Sequence, residues 1–159
     1  MNVHLQKIKD IDLAYIAGFL DGDGSLIAQI VKGDNYKYKY GIRLSIVFYQ
    51  YKKKHWFMLW LKDQLKYGYV RLRKDGMSEY VITASGPVEH ILVLLKPYLR
   101  LKHDLCNLVL KIIKNKKNIK SKEDFITVCK LVDLTQEHNY SKRKTITTES
   151  VIDTLKTLE

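Results

Sequence analysis

Residues 15–24 have the sequence Tyr-Ile-Ala-Gly-Phe-Leu-Asp-Gly-Asp-Gly, and this stretch is the most informative in the chain. Small residues recur four apart at Ala14, Gly18 and Gly22, so they share one face of a helix. Since no side chain stands on that face, two helices can pack there in close approach. Asp23 follows where the helix is expected to end, and two packed helices would bring two Asp23 carboxylates together. Paired carboxylates near a phosphate hold Mg²⁺ for phosphodiester chemistry.

The spacing alone also allows simpler interpretations. A small-residue stripe that ends in Asp-Gly-Asp-Gly is equally typical of a tight helix crossing followed by a turn. The same four residues occur in calcium loops. Here, however, the oxygen ligands expected at fixed steps, and a Glu near the twelfth position, are absent.

The stretch also resembles the motif of the LAGLIDADG homing endonucleases. In this chain the motif is Ile16-Ala17-Gly18-Phe19-Leu20-Asp21-Gly22-Asp23-Gly24. Five of its residues are identical to the family name: Ala17, Gly18, Asp21, Asp23 and Gly24. Gly22 replaces an Ala of the name with another small residue. Resemblance to the single-motif members continues through Gln-Ile at 29–30, Gly-Tyr-Val-Arg at 68–71 and Asn-Leu-Val-Leu-Lys-Ile-Ile at 107–113, and so covers most of the chain.

Composition restricts the class of protein further. A chain of 159 residues is expected to form one domain over 1–159, with a core at about 8–117 and a helical extension at about 118–159. The formal net charge of +11 predicts attraction to a polyanion, most simply a nucleic acid. Cys106 and Cys129 lack metal-ligand spacing and are expected in the core, in a reducing compartment. No apolar run has membrane-spanning length, so no membrane partner is expected, and neither a secretory signal nor an evident transit peptide is found.

Hydrophobic periodicity predicts an α+β fold of the order αββαββα, followed by C-terminal helices. The helices are expected on one face of an antiparallel sheet. Asp10 or Asp12 is expected to cap the first helix, and the second strand to run over Tyr36–Gln50. The next helix, Lys52–Lys66, is expected to turn its large apolar residues inward. These are Trp56, Phe57, Trp60, Leu61 and Leu65.

Turn and capping residues predict the remaining elements. Lys74-Asp75-Gly76 is a hairpin turn, and its return strand is expected at about Ser78–Ala84. In the C-terminal part, a helix is expected over Asp104–Lys117. Ser121 is expected to cap the next helix together with Asp124, and Thr147 or Thr148 to begin the last.

The predicted sheet has a basic face with one side chain at every second residue, a geometry that suits reading DNA in a groove. The candidates are Ile27, Gln29, Val31, Tyr36, Lys37, Lys39, Arg43, Ser45, Val47, Arg71, Arg73, Glu79 and Val81. Arg71 and Arg73 could each bind guanine as a bidentate fork. Lys142, Arg143 and Lys144 are candidates for phosphate contacts. On periodicity alone, the same alternation is as typical of a solvated sheet face.

The resemblance implies further site residues. It places Gln50, Lys54 and Lys102 around a metal-bound water and the scissile phosphate. Gln50 would orient water, while the two lysines would stabilise developing charge. The family more often has Arg at the position aligned with Lys54, so Lys52 and Lys53 stay open as the equivalent residue. Asp23 and the Gly22 carbonyl would bind the metal. Ala14, Gly18, Asp21 and Gly22 would form a dimer contact.

The resemblance therefore implies a sequence-specific, Mg²⁺-dependent double-strand DNA endonuclease that acts as a homodimer. Its site would be long and pseudo-palindromic, its products would carry 3′ overhangs, and it would promote mobility of a host intron. Mn²⁺ is expected to substitute for Mg²⁺, and Ca²⁺ to bind without supporting cleavage. An organelle, chloroplast or mitochondrion, is the implied location.

Three alternatives stay open. One is an intron RNA maturase on the same fold, and another is a DNA-binding regulator without catalysis, which would tolerate Asp23→Asn. The third is a basic RNA-binding module. It would need exposed stacking aromatics on its strands, for which Tyr36, Tyr49 and Tyr69 are available.

Overall fold

The structure is a computed structural model that describes residues 7–138 and 145–158. Lys142, Arg143 and Lys144 lie outside the described residues. The elements in chain order are α1 (Asp10–Asp23), β1 (Gly24–Lys32), β2 (Tyr40–Tyr51), α2 (His55–Leu65), β3 (Tyr69–Leu72), β4 (Met77–Thr83), α3 (Ser85–Leu95), α4 (His103–Lys117), α5 (Lys122–Thr135) and α6 (Thr148–Thr157). Short 3₁₀ turns occupy Lys52–Lys54, Lys96–Tyr98 and Gln136–His138.

The four strands form one sheet in the order β1-β2-β4-β3. β4 pairs antiparallel with both of its neighbours, so that Tyr49 and Arg71 flank Glu79 on either side. The predicted α+β fold and its αββαββα order are confirmed. No helix among residues 7–138 and 145–158 has both the length and the apolar character to cross a membrane.

By the density of its contacts the chain divides into two compact units. The first comprises Met1–Leu26 and Ser45–His103, and the second comprises Ile27–Leu44 and Asp104–Glu159. The division passes through β1 and β2, each of which contributes to both units. The single domain expected from chain length stays a prediction.

The first unit is built on stacked aromatic rings. Phe48 on β2 stacks on Phe19 of α1 at 6.0 Å and on Tyr80 of β4 at 5.8 Å between ring centroids. Both Phe48 and Tyr80 are fully buried, and burying one such side chain contributes about 1.5–3 kcal/mol. Burial raises the pKa of the Tyr80 hydroxyl, which donates a hydrogen bond to the Tyr67 carbonyl.

The second unit is a helical cluster. The apolar faces of α4, α5 and α6 are buried, and both cysteines are buried in this core. Burial raises the pKa of the Cys129 thiol to about 12. The predicted capping of α5 is confirmed: the Ser121 side chain accepts from the Asp124 N–H, and the Asp124 carboxylate accepts from the Ser121 N–H. At α6 the Thr147 side chain accepts from the Ser150 N–H.

Three details differ from the sequence expectations. α1 has Lys9 at its N-cap without a side-chain cap, because Asp10 and Asp12 lie inside its first turn. β2 begins at Tyr40 rather than Tyr36, since residues 34–39 form a turn in which Lys39 has a left-handed φ of 64°.

The third difference concerns α2, which turns Met58 inward with Leu61 and Leu65 and leaves Trp56 62% exposed. The helix begins at His55 because Lys52–Lys54 form a 3₁₀ turn. Residues at 58, 61 and 65 fall on one stripe of such a helix, whereas residue 56 does not.

Candidate active site

Asp23 is the last residue of α1, and its side chain is exposed. Directly after it, the Gly24 N–H donates to the Leu20 carbonyl and closes the helix. A Cβ at Gly24 would lie 2.6 Å from Leu20 Cδ1 and 2.9 Å from Leu20 Cα, so only glycine allows the chain to pass from α1 into β1 here. Helix, carboxylate and first strand are thus joined without an intervening loop.

The predicted stripe of small residues lies on the surface of α1. Ala14, Gly18 and Gly22 are all exposed, and a Cβ built at either glycine would meet nothing within 4 Å. Nothing in the described residues of this chain therefore requires glycine at these two positions. They leave a smooth strip of helix backbone that ends one residue before Asp23.

Large apolar side chains are exposed in the same unit as the stripe. Ile11 is 76% exposed, Tyr15 57%, Trp56 62% and Leu101 80%. Tyr15 makes an edge contact with Phe57 of α2, with ring centroids 6.0 Å apart. Exposed apolar side chains mark an interaction surface where they form one contiguous patch. Sequence periodicity missed Trp56 because it assigned the residue to the core, and no pattern marked Leu101.

Asp21 does not project from the stripe in the manner expected of a dimer-contact residue. Its carboxylate accepts three backbone N–H groups of the loop after α3. Oδ2 accepts from Arg100 at 2.7 Å and Leu101 at 3.2 Å, and Oδ1 accepts from Lys102 at 2.9 Å. Asp21 therefore fastens the end of α1 to a loop about eighty residues away in its own chain.

Lys102 is brought to the end of α1 by this attachment. Its half-buried side chain donates from Nζ to the Asp21 main-chain carbonyl at 2.9 Å. Burial lowers the pKa of Lys102, and the nearby Asp21 charge opposes that shift. The structure thus places Lys102, one of the two predicted catalytic lysines, in contact with Asp21, the residue two positions before Asp23.

Gln50 and the three lysines of the 3₁₀ turn lie at the end of β2. Gln50 is half-buried, and its Oε1 accepts from the Tyr51 N–H at 3.1 Å. Lys52, Lys53 and Lys54 are all exposed, so exposure does not distinguish the residue aligned with the family position. The Lys52 N–H donates to the Gly76 carbonyl at 2.8 Å, which ties this turn to the β3–β4 hairpin.

A buried carboxylate organises the two candidate arginines of the hairpin. Glu79 is 4% exposed; it accepts from Arg71 Nε and lies 3.5 Å from Arg73 Nη1. The hydrogen bond to Glu79 raises the pKa of the Arg71 guanidinium. Arg73 also donates from Nη2 to Asp75 in the hairpin turn at 2.7 Å. The Arg71 and Arg73 side chains are 60% and 40% exposed, and the buried Glu79 carboxylate contacts both of them. Val47 and Val81 in the same unit are buried, at 6% and 7% exposure.

Apart from Ser45, the other predicted DNA-contacting residues that the structure describes belong to the second unit. Ile27, Gln29 and Val31 are half-buried and alternate with buried Ala28 and Ile30, as expected. Arg43 is exposed on β2, Ser45, in the first unit, is 8% exposed, and Tyr36, Lys37 and Lys39 lie in the turn before the strand. The Tyr36 ring packs against Gly33 and Gly41, where a Cβ would lie 2.9 Å and 2.6 Å from ring atoms.

The oxygen ligands that one chain provides at the end of α1 suit a divalent cation such as Mg²⁺ or Ca²⁺. Within residues 7–138 and 145–158, no group of three or more His, Cys, Asp or Glu could hold a metal ion. At the end of α1, the exposed carboxylate of Asp23 follows directly after Gly22, which is also exposed. Carboxylate and carbonyl oxygens are the donors that Mg²⁺ and Ca²⁺ prefer, and Mg²⁺ commonly takes only one or two protein carboxylates beside phosphate and water.

Comparison with known proteins gives close matches. The profile of the family described as LAGLIDADG endonuclease matches residues 16–112. The chain is 41% identical over 140 residues to DNA endonuclease I-CreI of Chlamydomonas reinhardtii, covering 87% of this chain and 85% of that protein. It is 36% identical over 148 residues to DNA endonuclease I-CvuI of Chlorella vulgaris, covering 93% and 92%.

Solved structures agree with the sequence matches. A crystal structure of the homing endonuclease I-CvuI in complex with the I-CreI target, in the presence of 2 mM Mg, superposes with a TM-score of 0.89 at 36% identity. The match covers 93% of this chain and 94% of that one. A structure of I-CvuI with its own target in 2 mM Ca superposes equally well, at a TM-score of 0.89.

Proposed function

Because the chain belongs to the LAGLIDADG endonuclease family and is a sequence-specific DNA endonuclease, we propose that it cuts both strands of its target as a metal-dependent homodimer. Each copy supplies one Asp23 and cuts one strand. The target is a long pseudo-palindromic site, since a two-fold protein matches a two-fold sequence. The products carry 3′ overhangs, and cleavage promotes mobility of the host intron.

The exposed strip of α1 that leads to Asp23 carries this proposal. The motif occurs once in the chain, so a second carboxylate has to come from a second copy. Gly18 and Gly22 have open space where a side chain would stand, which is what close approach of another helix requires. Exposed Ile11, Tyr15 and Leu101 add apolar area to such an interface.

Asp23 and the Gly22 carbonyl would hold the metal ion beside the scissile phosphate. When bound, a divalent ion supplies an activated water and stabilises charge on the attacking and leaving oxygens. Lys102 contributes a positive charge for the phosphate as negative charge develops there. Gln50 orients the water network with its amide, and Lys54 contributes a second cation. Lys52 and Lys53 stay open for that last role.

DNA binding draws on the +11 charge and on the arginines of β3 and its turn. Arg71 bonds the buried Glu79 through Nε and keeps its outer edge for another acceptor, a placement that suits bidentate recognition of guanine. Arg73 would have to exchange its bond to Asp75 for one to the base. Gln29 is suited to adenine, and Lys142, Arg143 and Lys144 to phosphates. Contacts with bases carry sequence information, whereas contacts with phosphates contribute affinity.

The metal assignment follows from donor chemistry. Structures of I-CvuI with DNA were obtained in the presence of 2 mM Mg, where the DNA was not cleaved, and of 2 mM Ca, so they support a divalent ion at the DNA without identifying the working one. For this chain we assign Mg²⁺ as the working ion and expect Mn²⁺ to replace it. Ca²⁺ is expected to bind without supporting cleavage. Both relatives come from chloroplast-bearing algae, which favours an organelle, chloroplast or mitochondrion, as the location.

The test is cleavage of a randomised duplex library by the purified protein, with Mg²⁺ and with EDTA. Asp23→Asn is run in parallel, because it keeps the shape of the side chain and removes its charge. Mg²⁺-dependent cuts at one long near-palindromic sequence, slowed about 10³-fold or more in the variant, are expected. Site-specific binding without cutting under any divalent ion would contradict the proposal. It would favour a DNA-binding regulator or an intron RNA maturase on this fold.

A further inference from the structure

The hydrogen bonds of Asp21 use both of its carboxylate oxygens inside one chain. Three N–H groups of residues 100–102 point at them, at 2.7, 3.2 and 2.9 Å. Bonds from N–H groups to a carboxylate are among the stronger ones in proteins. These donors belong to consecutive residues, so the carboxylate fixes the backbone of the whole turn rather than a single side chain.

Lys102 is attached to Asp21 a second time. Its N–H donates to Asp21 Oδ1, and its ammonium donates to the Asp21 carbonyl. That carbonyl belongs to the last turn of α1, where carbonyls lack helical partners and the helix dipole is negative. Both ends of Lys102 are therefore tied to one residue, and its ammonium is held at the end of the helix that carries Asp23.

We propose that Asp21 is a positioning residue that sets the place of Lys102 beside the scissile phosphate, and that it does not bind metal. The inference rests on the proposed role of Lys102 in cleavage. The carboxylate of Asp21 fixes the backbone from which Lys102 projects, and its carbonyl holds the ammonium until a phosphate competes for it. Asp21 and Asp23, two residues apart in one motif, thus have separate tasks.

The chemistry of the contact explains the requirement for Asp. An Asn at this position would keep one acceptor oxygen but would turn an NH₂ donor toward a backbone N–H. At least one of the three bonds would be lost, and the turn would shift. A Glu would keep the charge and both oxygens, but its longer arm would move residues 100–102 away from the helix end.

The experiment is a double-mutant cycle on single-turnover cleavage of the target duplex in Mg²⁺. The variants are Asp21→Asn, Lys102→Met and the two combined; Met removes the charge of Lys102 and keeps an unbranched stem. Target affinity is measured separately in Ca²⁺, and folding is monitored by thermal melting. Asp63→Asn is the matched control, because that carboxylate is exposed and pairs only with Lys66 among the described residues.

Lys102→Met is expected to slow cleavage about 10²–10³-fold, as the loss of one charge-stabilising group does. Asp21→Asn is expected to slow it about 10-fold or more with target affinity unchanged, because the turn shifts while the DNA-reading surface stays. The combined variant should be no slower than Lys102→Met alone. A merely structural role for Asp21 would instead add its loss to that of Lys102. Asp63→Asn should cleave at the wild-type rate.

Three results would overturn the inference. They are independent, additive losses from the two substitutions, wild-type cleavage by Asp21→Asn, and wild-type cleavage by Lys102→Met. If Asp21→Asn does not fold, Asp21→Glu replaces it in the same cycle with the same expected non-additivity. Failure of the unmutated protein to cleave any duplex would be a different result, because it contradicts the proposed function itself and removes this inference with it.

Discussion

At the residue scale, the buried carboxylate of Glu79 orients two arginine side chains that are exposed at the surface. It is 4% exposed, and an unpaired carboxylate at that depth would be costly. Its partners are two arginines whose far ends reach solvent. Because Glu79 takes the Nε of Arg71, the outer edge of that guanidinium is left for another acceptor. The carboxylate thereby orders side chains that would otherwise sample many rotamers.

We expect Glu79→Gln to reduce discrimination more than overall binding. The amide keeps the shape of the side chain but no longer pairs with two cations, so the Arg71 fork loses its fixed direction. The ratio of target affinity to random-duplex affinity should fall about 10-fold, equivalent to about 1.4 kcal/mol. Competition binding in Ca²⁺ at fixed salt measures this ratio.

Asp75→Asn is the matched control for Glu79→Gln. Asp75 also pairs with Arg73, but on the exposed hairpin turn, where an ion pair contributes little. An unchanged affinity ratio in Glu79→Gln would show that the arginines are ordered by something other than this carboxylate.

Asp21 is a residue whose importance the sequence predicts but whose contacts it does not. Its place in the motif was evident, and so was that of Asp23. The partners of its carboxylate, residues 100–102, are about eighty positions away in a loop without a distinctive pattern. Side-chain contacts across such a separation depend on the packed fold, so local spacing predicts the residue but not its role.

At the element scale, α1 combines a buried face with a face open to solvent. Leu13, Ile16, Ala17 and Leu20 are buried in the chain, and the small-residue stripe lies on the other side. A helix packed on one side gains nothing within its own chain from glycines on the other, where they lower helix propensity by up to about 1 kcal/mol each. The stripe is therefore best explained by a partner helix.

Gly18→Leu tests this explanation. In a single chain the new side chain enters open space, so the fold of the chain should be kept, and the melting temperature should fall only by the stabilisation that dimerisation provides. At a close helix contact, two leucines would overpack the interface by about 1–3 kcal/mol or more. We expect a monomer by light scattering at micromolar concentration, and no double-strand cleavage.

The control is Gly86→Leu on α3, a second helical glycine whose Cβ would meet nothing within 4 Å. It makes the same chemical change away from the stripe and should leave both the dimer and cleavage intact. Dimerisation of Gly18→Leu at wild-type strength would mean that α1 does not form the contact.

Element boundaries show where the sequence was sufficient and where it was not. The α5 cap was predicted correctly because Ser121 and Asp124 satisfy each other locally. The start of β2 was placed four residues early, since alternating Tyr and Lys at 36–40 imitate a strand while Lys39 adopts a turn conformation. The sequence assigns Trp56 to the core because large apolar residues are usually buried, but the residue is 62% exposed.

At the scale of the whole molecule, the net charge of +11 makes the affinity for DNA depend strongly on salt concentration. Basic residues that neutralise phosphates release counterions, so the binding constant falls steeply with salt. With roughly 6–10 phosphate contacts, affinity should fall about 10³–10⁵-fold between 50 and 200 mM salt. Equilibrium binding over a salt series measures the slope.

Replacing Lys142, Arg143 and Lys144 together by Ala removes six cations from the proposed dimer, and should reduce that slope by about five units if each contacts one phosphate. The affinity ratio between target and random duplex should stay constant, because phosphates carry no sequence information. A slope equal to that of the unmutated protein would remove these three residues from the interface.

Three other lysines provide the matched control for this triple substitution. Lys111, Lys130 and Lys156 are exposed on α4, α5 and α6, and their replacement by Ala removes the same charge. They were not among the candidate DNA contacts, so their loss should change the slope much less.

In the proposed dimer, two copies of the chain together cut both strands, each through its own Asp23. Unmutated and Asp23→Asn chains with different tags can be co-expressed at known ratios, and initial rates of double-strand cleavage measured at each ratio. If both copies must carry Asp23, the rate follows the square of the unmutated fraction, so an equal mixture retains about one quarter of the activity. A rate that falls in simple proportion, to about one half, would mean that a single chain cuts both strands, and would contradict the account.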